Sequence, residues 1–215
     1  MNEREVRERP DAGHEAEGGP SILAVKLADL GDGLLAVPAL AYLRAALPPG
    51  GRLEVLSGRA AAPAFAQAGL VDAVHVLPSG TVARQGLLSL LRRRRFDALV
   101  YLHSLVTPRG ALKHRALASL IAAPLRVGLR HPSAWRSSFL SHGPADRGYG
   151  AWHVVESFEA VAAAAVAALG LRAPMPWGLA ERGLRFAPGP GAEAAAAKLW
   201  AAWPQRRGWV ALHPG

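Results

Sequence analysis

The stretch Ile22-Leu-Ala-Val-Lys-Leu-Ala-Asp-Leu-Gly-Asp-Gly33 decides how this chain reads. Its first six residues form a short apolar run, the mark of a strand buried on both faces. The run gives way to Asp29-Leu-Gly-Asp-Gly33, which predicts a tight loop. Beyond it Ala36, Val37, Leu40, Leu43 and Leu47 recur at helical spacing until Pro48-Pro-Gly-Gly51 stops them. Pro38 is tolerated only in a first turn, so the helix is expected to begin at 35–37.

The same unit repeats along the chain. Strands are expected at 53–56, 73–77, 98–102 and 125–128, with helices at 60–68, 82–94 and 111–122 between them. Strands alternating with helices pair in parallel, because each crossover returns the chain to the same edge. The expected architecture is α/β: a doubly wound parallel sheet with helices on both faces. Residues 131–150 hold Pro132, Gly143, Pro144, Gly148 and Gly150 and read as a loop. A helix is expected over 152–169, closed by Gly170, then a linker over 172–191 and a helix over 193–203. Trp209-Val-Ala-Leu212 reads as a further strand running into His213-Pro-Gly215. A strand entering a Pro-Gly loop opens an α/β unit, so a second domain is expected to start within 192–215 and to be cut short.

Composition narrows the function classes. The 215 residues are 51% hydrophobic and 19% charged, enough apolar material for a packed core. Cysteine is absent, which excludes disulfides, cysteine-ligated zinc and a cysteine nucleophile. No uninterrupted apolar run is long enough for a membrane span; the nearest, Val154 to Leu171, is broken by Glu156 and Glu159. The first twenty residues carry Glu3, Glu5, Glu8, Asp11, Glu15 and Glu17 without an apolar centre, and are expected to form a disordered tail, 1–20. Against that acidic tail the whole chain is +9, so the body is strongly basic and suits an acidic partner.

Ligands bind open α/β sheets at the carboxyl ends of the strands, which places interest on Gly31, Asp32 and Gly33. Two readings of Asp32 stand: a helix N-cap, or a general base taking a proton from a bound hydroxyl. Gly31-Asp-Gly-Leu-Leu-Ala36 also fits the dinucleotide fingerprint. An acid inside that loop repels a pyrophosphate, however, and the second strand ends in Ser57-Gly58 with Glu54 too early for the ribose. Lys26 reads either as an anion contact or as half of an ion pair. His103 reads as a satisfied polar residue or a ligand contact. Arg109, Lys113 and Arg115 open a helix where cations oppose the dipole, which favours anion contact. Arg92-Arg-Arg-Arg95 reads as cations at a helix C-terminus or as a docking point for an anionic membrane face. Without interleaved aromatics it does not point to nucleic acid. Trp200 and Trp203, at helical spacing, read as packing.

The ordered set of motifs resembles glycosyltransferase family 9, the family of the ADP-heptose:lipopolysaccharide heptosyltransferases. The resemblance rests on Val25-Lys-Leu27, Leu30-Gly-Asp32, Pro38-Ala-Leu40, Val71-Asp-Ala-Val74, Phe96-Asp-Ala-Leu-Val100, Leu102-His103, Arg126-Val-Gly128, His153-Val154, Leu169-Gly-Leu171 and Val210-Ala-Leu-His-Pro-Gly215. The chain departs from the pattern at Ser104, where glycine is usual, and at Gly33, where a β-branched residue is common.

The resemblance implies a GT-B fold, two Rossmann-like domains around a cleft, of which this chain carries the acceptor domain, 21–171. It implies an inverting transfer without metal or cofactor, from a nucleotide-sugar donor such as ADP-heptose to an anionic glycan or glycolipid acceptor. Asp32 takes the place of the catalytic base. Gly31, Gly33, Lys26, His103 and Arg109 fall on the acceptor side, and His213, Pro214 and Gly215 on the donor side. A cytoplasmic location with peripheral contact at the inner membrane accompanies it. The rival reading is a non-catalytic α/β module that holds a phosphorylated ligand or a polyanion.

Overall fold

A computed structural model describes residues 18–148, 153–174 and 190–202. The chain divides into two compact units, Met1–Leu184 and Arg185–Gly215. Most of the expected tail and linker, the strand at 209–212, Trp203, and the donor-side residues His213, Pro214 and Gly215 lie outside the described residues.

The first unit is a five-stranded parallel sheet: β1 (Ser21–Lys26), β2 (Arg52–Ser57), β3 (Ala73–Val76), β4 (Ala98–Tyr101) and β5 (Leu125–Gly128). Their order in space is β3-β2-β1-β4-β5. The chain winds outward from β1 in one direction, then restarts at β4 on its other side. That reversal makes the carboxyl ends of β1 and β4 the topological switch point, where the two crossovers part and leave a crevice.

β1 is buried along its whole length, and its alternate side chains feed two cores. Ile22 and Ala24 face α2 (Val37–Ala46), α3 (Ala62–Gln67) and α7 (Val154–Ala168), meeting Leu40, Leu43, Phe65, Phe158 and Val161. Leu23 and Val25 face α4 (Thr81–Arg93) and α5 (Pro108–Leu120), meeting Leu91, Leu117 and Phe139. Period-two alternation inside a continuous apolar run is how one strand serves two helical layers.

Elements match the expected ones within a few residues, and three differences carry physical content. The loop after β1 is wound into a one-turn helix, α1 (Leu30–Leu34), before α2 starts at Val37. Helix α5 starts at Pro108, three residues earlier than its apolar periodicity suggests. Thr107 caps it by accepting the Gly110 N–H at 3.0 Å, and Pro108 fills a position whose N–H would have no partner. The loop after β5 contains a short helix, α6 (Ala134–Ser137). Helix α7 starts at a capped turn in which Glu156 accepts the His153 N–H at 3.1 Å and the His153 ring accepts the Val155 N–H at 3.3 Å. It ends at Gly170, whose φ of 66° supports the left-handed turn that closes it.

Two aspartates tie the lower edge of the sheet. Asp97, just before β4, accepts the N–H of Ser21 at 2.7 Å, and Asp72, just before β3, accepts the N–H of Leu53 at 2.7 Å. Each closes a donor at the start of the neighbouring strand. Among the described residues no helix is long and apolar enough to cross a membrane. The second unit contributes α8 (Pro190–Ala202), on which Trp200 is 60% exposed.

Candidate functional site at the switch point

Asp32 sits in the first turn of α1 and is exposed. The N-cap position belongs to Asp29, whose side chain makes no cap hydrogen bond. The cap reading of Asp32 is therefore corrected: the carboxylate stands one turn higher, at the carboxyl edge of β1. Gly31 is also exposed, with open space around the position of a Cβ. Gly33 turns inward, where a Cβ would come within 2.6 Å of the Ala61 Cβ, so its missing side chain lets α1 close on α3.

Lys26, the last residue of β1, is only 3% exposed. Its ammonium lies 4.1 Å from the Phe158 ring centroid, a cation–π contact from α7. Among the described residues it makes no hydrogen bond and no ion pair within 4.0 Å. Burial pulls its pKa from 10.5 down to about 8, while the charge of Asp32 acts in the other direction. Both residues thus share the edge of β1 without closing on each other.

His103 follows β4 and is partly buried. Its Nε2 accepts the Leu27 N–H at 2.7 Å, which assigns the ring proton of the neutral imidazole to Nδ1. Burial first, then His114, then the Lys26 ammonium hold its pKa well below 6.5. His103 is therefore a neutral hydrogen-bond donor at Nδ1.

His114 on α5 was not singled out from the sequence. It lies 4.6 Å from His103, ring centroid to ring centroid, and edge-on to Tyr101 at 5.6 Å. Burial, Lys113 and Lys26 lower its pKa to about 4, so it is neutral as well. Its Nδ1 and the Tyr101 hydroxyl are sealed from solvent with no hydrogen-bond partner among the described residues. A signal existed: His114 falls in the buried stripe of α5 with Ala111, Leu117 and Ala118.

Other expected residues lie apart from this group. Arg109 is exposed in the first turn of α5; Lys113 and Arg115 fall further along the same helix rather than at its start. In the arginine run, Arg94 turns inward and binds both oxygens of Glu54 at 2.7 Å. His75 at 2.6 Å and Arg52 at 2.7 Å complete the enclosure of Glu54, which is 1% exposed. A carboxylate so occupied cannot hold a ribose, which adds to the case against the dinucleotide fingerprint. A groove of about 740 Å³ opens beside β3, lined by Arg59, Ala62, Pro63, Val74, Val76 and Arg84 among others.

Fold and site together define a Rossmann-like half of a GT-B-type architecture with its chemistry-bearing side chains at the switch point. No family model and no curated protein matches the chain. Solved structures do. The chain is similar to the glycosyl transferase family 9 protein of Veillonella parvula, with a TM-score of 0.60 and 19% identity, over 85% of this chain and 49% of that one. It is similar to E. coli ADP-heptose lps heptosyltransferase II, with a TM-score of 0.58 and 20% identity, over 84% of this chain and 50% of that one. It is also similar to E. coli heptosyltransferase WaaC with ADP, with a TM-score of 0.52 and 21% identity, over 74% of this chain and 50% of that one. The chain thus spans about half the length of these structures, and at this identity the likeness establishes the fold.

Proposed function

We propose that this chain is the acceptor-binding half of an inverting glycosyltransferase that needs no metal. Its donor is a nucleotide diphosphate sugar of the ADP-heptose kind, and its acceptor an anionic glycan or glycolipid such as a lipopolysaccharide core. The observation that carries the reading is Asp32: an exposed carboxylate at the switch point of a sheet whose fold is that of heptosyltransferases.

An acceptor hydroxyl beside Asp32 attacks the anomeric carbon. The new carbon–oxygen bond forms as the bond to the diphosphate oxygen breaks on the opposite face, and the hydroxyl proton passes to the Asp32 carboxylate. A carboxylate is a weak base for a free hydroxyl, with a reference pKa of about 3.9. The hydroxyl acidifies as it bonds to carbon, so the transfer is late and placement supplies much of the gain. In this reading the His103 Nδ1–H offers a neutral donor to the acceptor, and Lys26, Gly31, Gly33 and Arg109 belong to the acceptor side. His213, Pro214 and Gly215 fall on the donor side. The reading places the enzyme in the cytoplasm, at the inner membrane face where a lipid-borne acceptor is reached.

The test is turnover of an ADP-activated heptose by the full-length protein with a lipopolysaccharide-core acceptor. Parent activity with loss in Asp32→Asn is expected. Unimpaired turnover by Asp32→Asn would remove the base assignment, and nicotinamide cofactor binding in place of transfer would replace the reading.

A further inference from the structure

Helix α4 presents its inner side to the sheet through Leu91 and leaves a second side without cover. On that outer side Val82 is 82% exposed and Leu90 is 45% exposed, with Gly86 midway between them. Residues four apart stack along one side of a helix, so the three form a single stripe. Arg92, Arg93 and Arg95 at its end are exposed, and among the described residues none forms an ion pair. Their neighbour Arg94 is committed to Glu54, and the next acid, Asp97, uses its carboxylate on the Ser21 N–H. The outer side of α4 therefore combines apolar side chains with guanidinium groups that pair with no carboxylate among the described residues. The acidic and aliphatic halves of a bilayer interface complement both features at once. A nucleic acid would answer the arginines and gain nothing from Val82 and Leu90.

We propose that the outer side of α4 is a docking surface for an anionic bilayer, with Val82 and Leu90 entering the interface and Arg92, Arg93 and Arg95 against headgroup phosphates. The surface deepens the glycolipid-acceptor reading and rests on it for its use. Val82 lies just beyond the carboxyl end of β3 and Arg93 closes the other end of the helix, about 16 Å away along its axis.

Co-sedimentation with vesicles tests the surface without any turnover. The protein is expected to bind vesicles of phosphatidylcholine with phosphatidylglycerol, and not phosphatidylcholine alone. Binding falls at least tenfold in the Arg92→Gln, Arg93→Gln, Arg95→Gln variant, on the basis of roughly fivefold per basic residue. It falls also in Val82→Ser, Leu90→Ser, and stays within about twofold in the charge-matched control Arg130→Gln, Arg172→Gln, Lys198→Gln. Equal binding to both vesicles, or equal loss in the control, overturns the proposal. So does unchanged binding in Val82→Ser, Leu90→Ser together with full competition by a DNA duplex, which would assign the arginines to a polyanion. Unfolding temperatures of the variants confirm that each is folded. Turnover on a detergent-dispersed acceptor reads the transferase assignment separately, because no bilayer is present there.

Discussion

His103 Nε2 accepts the N–H of Leu27 at 2.7 Å, joining the residues that leave β4 and β1 across the switch point. The bond satisfies a backbone donor just past the end of β1 and at the same time fixes which nitrogen of His103 can donate. One contact thus sets both the closure of the sheet edge and the polarity of the site.

Removing the carboxylate at Asp32 is expected to lower kcat of the full-length protein by about 10²- to 10⁴-fold in Asp32→Asn, the usual contribution of a positioned base. Stability changes little, since Asp32 is exposed and stands inside the first turn of α1 rather than at its N-cap. Steady-state kinetics beside thermal unfolding separates the two effects.

Lys26→Met is expected to stabilise the fold or leave it unchanged at neutral pH, while raising KM for the acceptor. A buried ammonium without an ionic partner is a cost that a thioether of similar length avoids. The pH dependence has a definite sign. The folded pKa of about 8 lies below the 10.5 of the free group, so between them the unfolded chain binds more protons. Parent stability therefore rises with pH across that window, by up to about 3 kcal/mol, and the rise is absent in Lys26→Met. Urea denaturation as a function of pH checks it.

Glu54→Gln leaves Arg94, His75 and Arg52 around a neutral amide and is expected to destabilise by about 3 kcal/mol. The carboxyl pKa is held below its usual 4.5 despite burial, by the hydrogen bond from His75 and the charges of Arg94, His75 and Arg52. Its contribution is complete above pH 4.5 and is lost as the pH falls toward the folded value. The variant's acid-unfolding profile should be flatter than the parent's in that range, measured by circular dichroism.

His114→Phe keeps an aromatic ring against His103 and Tyr101 and removes a sealed nitrogen with no partner. We expect equal or greater stability at neutral pH. The folded pKa of about 4 is lower than the free value of 6.5, so parent stability declines as pH falls from 6.5 toward 4. Loss of that part of the decline in the variant, followed by denaturant titration, identifies the group.

Gly33→Ala brings a methyl group to 2.6 Å from the Ala61 Cβ, which has no rotamer to yield. A loss of about 1–3 kcal/mol is expected from the overpacked contact between α1 and α3. Thermal unfolding measures it.

Much of the architecture was legible because it is encoded locally. The apolar run at 22–27, the proline and glycine stops, and the apolar stripe from Ala36 to Leu47 each specify an element from neighbouring residues alone. Where local signals compete, boundaries shifted: Thr107 and Pro108 start α5 ahead of its apolar stripe, and Asp29 takes the cap that position alone would have given Asp32. Sequence determined that a parallel sheet with helices on both faces would form, and that Lys26, Asp32 and His103 would lie at carboxyl strand ends. Tertiary structure alone decided that β1 and β4 are neighbours at the switch point, that His114 lies against His103, that Lys26 rests on Phe158, and that Glu54 is enclosed by three basic side chains. The reason is physical. Periodicity and turn chemistry act between residues a few positions apart. Strand order and the convergence of side chains as distant in sequence as Leu27 and His103 depend on which surfaces pack together, and no single stretch of chain contains both partners.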